Sequence, residues 1–151
     1  MTRRRDIQTI DMFSEWTPPA VVERYDERAV QASTWRDRIA KAVKQTLDSS
    51  DLSRDEIAVA MSDWLGESVT KGMLDNYSSQ AKEEHTISFQ RVIALCMVTG
   101  DPRLLQLAVE PLGRAVIEER YLGAIQEAMA VEQMEHLERM RKISRRQWRG
   151  R

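Results

Sequence analysis

The sequence predicts an all-α protein. Three observations point there: apolar residues recur at steps of three and four almost throughout, no Asn-Gly or Asp-Gly hairpin signal occurs, and the 151 residues include only 6 Gly and 4 Pro. A chain of this length suits one compact domain with appendages rather than two domains with separate cores. With 31% charged and 42% hydrophobic residues, it has the apolar material for a core beneath a heavily solvated surface.

Taken in order, residues 1–33 are expected to form an N-terminal arm. It opens with the Arg3, Arg4, Arg5 cluster and continues through Phe13 and Trp16, aromatic residues expected to lie back on the core. Pro18-Pro19 then blocks helix continuation, ahead of a short helix over 20–30. A helical domain is expected over 34–113. Its first core helix starts after Thr34, with Trp35, Ile39, Ala42, Val43 and Leu47 on one face and Arg36, Asp37, Lys41 and Lys44 on the other. Ser49-Ser50-Asp51 breaks it, and Ser53-Arg54-Asp55-Glu56 reads as a capping box opening a second helix. Ile57, Ala58, Met61, Trp64 and Leu65 form that helix's apolar stripe, and Gly66 is its left-handed stop.

The next helix is expected over 69–79, anchored by Val69, Met73, Leu74 and Tyr77. A further helix from about Ser88 to Thr99 is apolar at Phe89, Val92, Ile93, Leu95, Cys96 and Met97, which predicts deep burial. After Gly100, Asp101-Pro102 supplies an N-cap and a first-turn proline for a helix packed by Leu104, Leu105, Leu107 and Ala108. Residues 114–151 then form a C-terminal helix, from about Glu118 to Gln147, with a basic tail. Its apolar residues (Leu122, Ile125, Met129, Met134, Leu137, Met140) do not keep a strict heptad, which argues against a long coiled coil and leaves room for a short dimer contact.

Composition narrows the functional classes. Twenty-three Lys and Arg against 24 Asp and Glu give a net charge of -1, so the chain is no uniformly basic coat for nucleic acid. The basic charge is local: from Arg139 to the end come seven basic residues, among them Arg145, Arg146 and Arg149, and no acid. The longest apolar run, Val92 to Val98, falls far short of the roughly 20 residues of a membrane span. No secretory leader pattern follows Met1, and a cytoplasmic location with no membrane partner is the expectation. Cys96, the single cysteine, lies in an apolar helix and reads as a buried thiol.

No enzymatic apparatus is legible. His85 and His136 are far apart and lack metal-ligand spacing with carboxylates or Cys96. Asp55-Glu56 and Glu83-Glu84 read as a helix cap and a solvated loop. There is no phosphate-binding glycine loop and no nucleophile elbow, so neither catalysis nor a cofactor nor a metal is expected.

The run from Ser53 to Glu110 resembles the lambda repressor-like helix-turn-helix family. Leu52-Ser53-Arg54-Asp55-Glu56-Ile57-Ala58 is similar to that family's opening, with Ala58 at the small-residue helix crossing. Val69, Leu74 and Tyr77 resemble its recognition-helix anchors, and Ile87 to Gly100-Asp101 its closing helix. The segment from Val69 to Tyr77 looks more narrowly like regulatory proteins of temperate, Mu-like phages. The family's short glycine turn is replaced by Ser62-Asp63-Trp64-Leu65-Gly66-Glu67-Ser68.

The resemblance implies a five-helix core and a transcriptional regulator, of phage or prophage origin, that reads double-stranded DNA. On helical geometry, Thr70, Lys71, Asn76, Ser78 and Ser79 lie where a recognition helix meets base edges. Lys71 and Lys82 suit phosphates, as do Arg3, Arg4, Arg5 and the tail residues Arg145, Arg146 and Arg149. Asp75 opposes this, and residues 34–113 carry nine basic against twelve acidic side chains. One module reads few base pairs, so a homodimer on a palindromic site is expected. The second reading is a non-catalytic adaptor that binds a host or phage protein through the same fold.

Overall fold

The computed structural model describes residues 20–81 and 84–150, and these are all-helical, with no strand among them. Arg3, Arg4, Arg5, Phe13, Trp16 and Lys82 lie outside the described residues. The helices are α1 (Glu27–Val30), α2 (Trp35–Ser49), α3 (Arg54–Leu65), α4 (Lys71–Tyr77), α5 (Phe89–Thr99), α6 (Arg103–Val109) and α7 (Leu122–Arg149). Single 3-10 turns at Glu110–Leu112 and Glu119–Tyr121 lie between α6 and α7.

Local chemistry sets most boundaries. At α3 the capping box is complete: Glu56 N–H donates to Ser53 Oγ at 3.3 Å, and Ser53 N–H donates back to Glu56 Oε2 at 2.8 Å. Gly66 (φ 70°) and Gly100 (φ 69°) end α3 and α5 in the left-handed region, which glycine enters without a Cβ penalty. At α6, whose helix begins at Arg103 behind Pro102, Asp101 Oδ1 accepts from Arg103 N–H at 2.9 Å, the hydrogen bond expected of a capping aspartate.

The core gathers one stripe from each of α1 to α6: Val30, then Val43 and Leu47, then Ile57 and Met61, with Leu74, Leu95 and Leu107 beyond. The most extensive helix contact is α3 against α5, where Ala58, 4% exposed, and Ala94, fully buried, are the small residues. Each full side chain of the Ile57, Met61, Leu74 or Leu95 type stabilises the fold by about 1.5–3 kcal/mol.

Burial departs from the expected stripes at several positions. Trp35, Trp64, Phe89 and Met97 are half or more exposed, and Ala108 is exposed. Only Ala94, Leu95 and Cys96 of α5 are buried, because an apolar helix on the surface of a small body shows just one side to it. Trp35 instead lies under Arg38, whose guanidinium carbon is 5.3 Å from the ring centroid.

The stretch 20–33 is packed rather than arm-like, and its helix is confined to Glu27–Val30. Tyr25 Oη and Thr46 Oγ1 share a 2.5 Å hydrogen bond, and Thr46 Oγ1 donates to Asp101 Oδ2 at 2.9 Å. Arg103 chelates Asp101, donates to Ser49 Oγ at 2.8 Å and stacks 4.7 Å from the Tyr25 ring centroid. Of these groups Thr46, Ser49, Asp101 and Arg103 lie in the wall of an open cleft of about 480 Å³. Burial pushes the Asp101 carboxyl up, but hydrogen bonds from Arg103 and Thr46 outweigh that and hold it below the usual carboxylate range. Burial also raises Tyr25 and carries the Cys96 thiol to about 11.

Gln106, 1% exposed, accepts from Val116 N–H at 2.7 Å and so fixes the chain leaving α6. Beyond it, α7 begins at Leu122, later than expected, and no residue of its 28 is buried. No helix among the described residues is long and apolar enough to cross a membrane.

Candidate nucleic-acid interface

The segment from Gly66 to Tyr77 is built by α3. Val69 N–H donates to Ser62 Oγ at 2.8 Å, and the same hydroxyl lies 2.7 Å from Ala58 O and 3.1 Å from Val69 O. Val69, 5% exposed, thereby enters the core, and the longer turn is closed by a side chain of the preceding helix. Arg91 of α5 donates to the Tyr77 hydroxyl and pairs with Glu67, which fixes the far end of α4 and the turn to one residue.

Thr70 caps α4: its Oγ1 accepts from Met73 N–H at 3.3 Å. From Lys71 the helix buries Leu74 and Tyr77, and Met73 is half-buried. The period of 3.6 then turns Lys71, Gly72 and Asp75 into solvent, with Asn76, Ser78 and Ser79 half-buried at the margin. A Cβ added at Gly72 would meet only Thr70 Oγ1, at 3.8 Å, so nothing inside the chain requires glycine there. Glycine in a helix nonetheless costs about 1 kcal/mol relative to alanine.

The predicted site residues thus divide. Lys71 and Asn76 lie on the two edges of the outward face of α4, Lys71 exposed and Asn76 half-buried. Thr70 is exposed, but its hydroxyl is committed to capping. Ser78 Oγ donates to Asp75 O at 3.0 Å and accepts a longer contact from Arg54, so it is occupied locally. Arg145, Arg146 and Arg149 lie on α7, all exposed, on a separate element.

The electrostatics are mixed. Lys71 Nζ lies 3.3 Å from Asp55 Oδ2. Arg54, passed over as a site residue in the sequence, bridges Asp75 at 2.5 Å and Asp48 at 2.9 Å, and the Asp75 hydrogen bond, foremost, raises its pKa further. Asp75 is therefore neutralised by a neighbour, but Asp48, Asp55 and Asp75 together outnumber Arg54 and Lys71. A polar cleft of about 450 Å³ adjoins the end of α4, lined by Lys41, Lys44, Gln45, Asp48, Ser78 and Gln80. Lys44 and Gln45 extend the face. The signal for Lys44 was its place on the outer side of α2. Arg54 had no such signal, because both partners come from other elements.

Compared with known proteins, the chain matches no family model, and neither a curated protein nor a solved structure matches it significantly.

Proposed function

We propose that residues 34–113 form a five-helix, lambda repressor-like helix-turn-helix domain, and that the protein is a sequence-specific DNA-binding regulator of phage or prophage origin. The observation that carries this reading is the division of α4: Leu74 and Tyr77 pin its inner side, while Lys71, Gly72 and Asp75 lie open to solvent with Asn76 half-buried at their margin. Such a face meets the geometric need of a helix entering the major groove. Asn76 pairs with an adenine edge, Lys71 exchanges Asp55 for a phosphate, and the bare Gly72 lets a groove wall come close. The acids around Arg54 make this face poor at gathering phosphates, so Lys44, Arg3 to Arg5 and the tail carry the backbone contacts.

The test begins with selection of bound duplexes from a random pool, in which an enriched palindrome is the expected result. Lys71→Ala with Asn76→Ala then weakens binding to that site by about 1–3 kcal/mol, the worth of a bidentate base contact. An unchanged affinity in the double variant removes α4 from the site. The acidic neighbours Asp48, Asp55 and Asp75 favour a second reading, in which the same face binds a protein. The adaptor shows no duplex affinity even at low salt, whereas a DNA regulator loses affinity steeply as salt rises.

A further inference from the structure

α7 lacks what stabilises most helices. Helices in folded proteins gain most of their stability from packing an amphipathic face, yet every residue of this 28-residue helix is exposed. Its apolar residues include Leu122, Met129, Met140 and Ile143, each 47–65% exposed. Leu122, Met129, His136 and Ile143 fall seven apart, and Met140 lies on the same strip between Gln133 and Gln147. Ile125, Val131, Met134, Leu137 and Trp148 fall off it. Among the described residues nothing packs on this strip, which leaves it open to another molecule.

The charge along α7 identifies that molecule. From Leu122 to Glu138 the helix carries four glutamates and no Lys or Arg; from Arg139 to Arg149 it carries six basic residues and no acid. A parallel pair of copies sets acid on acid and base on base along its whole length. An antiparallel pair centred near the middle of the helix sets residues 122–130, with Glu127, against the basic stretch 139–147, and leaves 131–138 facing themselves. We propose that α7 associates with α7 of a second copy of this chain, antiparallel, about a twofold axis between Gln133 and His136.

That register places Met129 against Met140 of the other copy and Gln133 against His136, whose amide and imidazole have complementary donors and acceptors. On the flank it sets Glu132 beside Arg139 of the other copy, twice by symmetry. A parallel pair stacks His136 on His136 and forms neither ion pair. Arg145 and Arg149 lie on the far side of the helix and stay in solvent. The inference does not depend on the DNA reading, because association is measured without nucleic acid.

Sedimentation equilibrium of the full chain is expected to give twice the mass of one chain, and a monomer throughout the micromolar range overturns the proposal. Direction is read by disulfide formation, with the wild type and its buried Cys96 as control. Mixed Met129→Cys and Met140→Cys chains cross-link to each other, whereas in an antiparallel pair Met129→Cys alone does not, since its two copies lie about 16 Å apart at 1.5 Å per residue. Self-linking of Met129→Cys as efficient as the mixture overturns the antiparallel arrangement. Glu132→Lys and Arg139→Glu each weaken association about tenfold, by replacing two surface attractions with repulsions. Combining them restores it, and no recovery in the double variant overturns the register.

Discussion

Ser62→Ala tests how α4 is held. In the native protein the Ser62 hydroxyl accepts the Val69 N–H at 2.8 Å, and Val69 is only 5% exposed, so water cannot replace the lost acceptor. A buried donor left without a partner costs about 1–3 kcal/mol. Alanine returns up to about 0.5 kcal/mol of helix propensity within α3. The net loss is therefore about 0.5–2.5 kcal/mol, which at a urea slope of about 2 kcal/mol/M moves the midpoint down by about 0.3–1.2 M. Equilibrium unfolding followed by tryptophan fluorescence measures this, with an unchanged slope as the sign that the fold is otherwise intact. Ser62→Thr keeps the hydroxyl and should retain most of the stability. A Ser62→Ala midpoint equal to or above the wild type refutes the claim that this side chain closes the turn.

Three further outcomes follow from other positions. Gly66→Ala should cost about 1–2 kcal/mol, purely from placing an L-residue at φ 70°, because the added Cβ meets nothing within 4 Å; thermal melting checks it. Asp101 has a depressed folded pKa, so its contribution is present above the unfolded value of about 3.9 and is lost as pH falls through the folded value. Asp101→Asn should accordingly lower stability at pH 7 and flatten its acid dependence, as urea midpoints from pH 2 to 7 will show. Cys96, buried and with its thiol pushed up to about 11, should react with a thiol reagent only when urea unfolds the protein; rapid labelling in buffer would contradict its placement.

The parts of the fold legible in the sequence are those decided within a few residues. Ser53 and Glu56 satisfy each other's backbone donors three positions apart, and Gly66 and Gly100 end helices by their own backbone freedom. What a helix faces is decided at longer range. Trp35, Trp64, Phe89 and Met97 obey a helical apolar period yet lie exposed, because the core of this small body accepts one stripe from each helix and covers nothing outside it. The candidate site divides the same way. The inward Leu74 and Tyr77 follow from spacing, but the Arg54 bridge to Asp75 spans 21 residues and was invisible to any local pattern. Sequence spacing likewise put Thr70 and Ser78 in one class with Asn76, whereas hydrogen bonding commits their hydroxyls to the backbone.

The corner where Arg103 meets Tyr25, Ser49 and Asp101 bears on the order in which the chain assembles. The hydrogen bonds from Thr46 to Asp101 and from Arg103 to Ser49 close loops of 55 and 54 residues, so they form only after α2 and α6 have already come together. The expectation is that contacts of this sequence separation are not yet made in the rate-limiting ensemble. Thr46→Val should hasten unfolding in stopped-flow kinetics and leave the refolding limb in place, making this corner a latch on the native lifetime rather than a seed for collapse. A slowed refolding limb would put the corner in the nucleus instead.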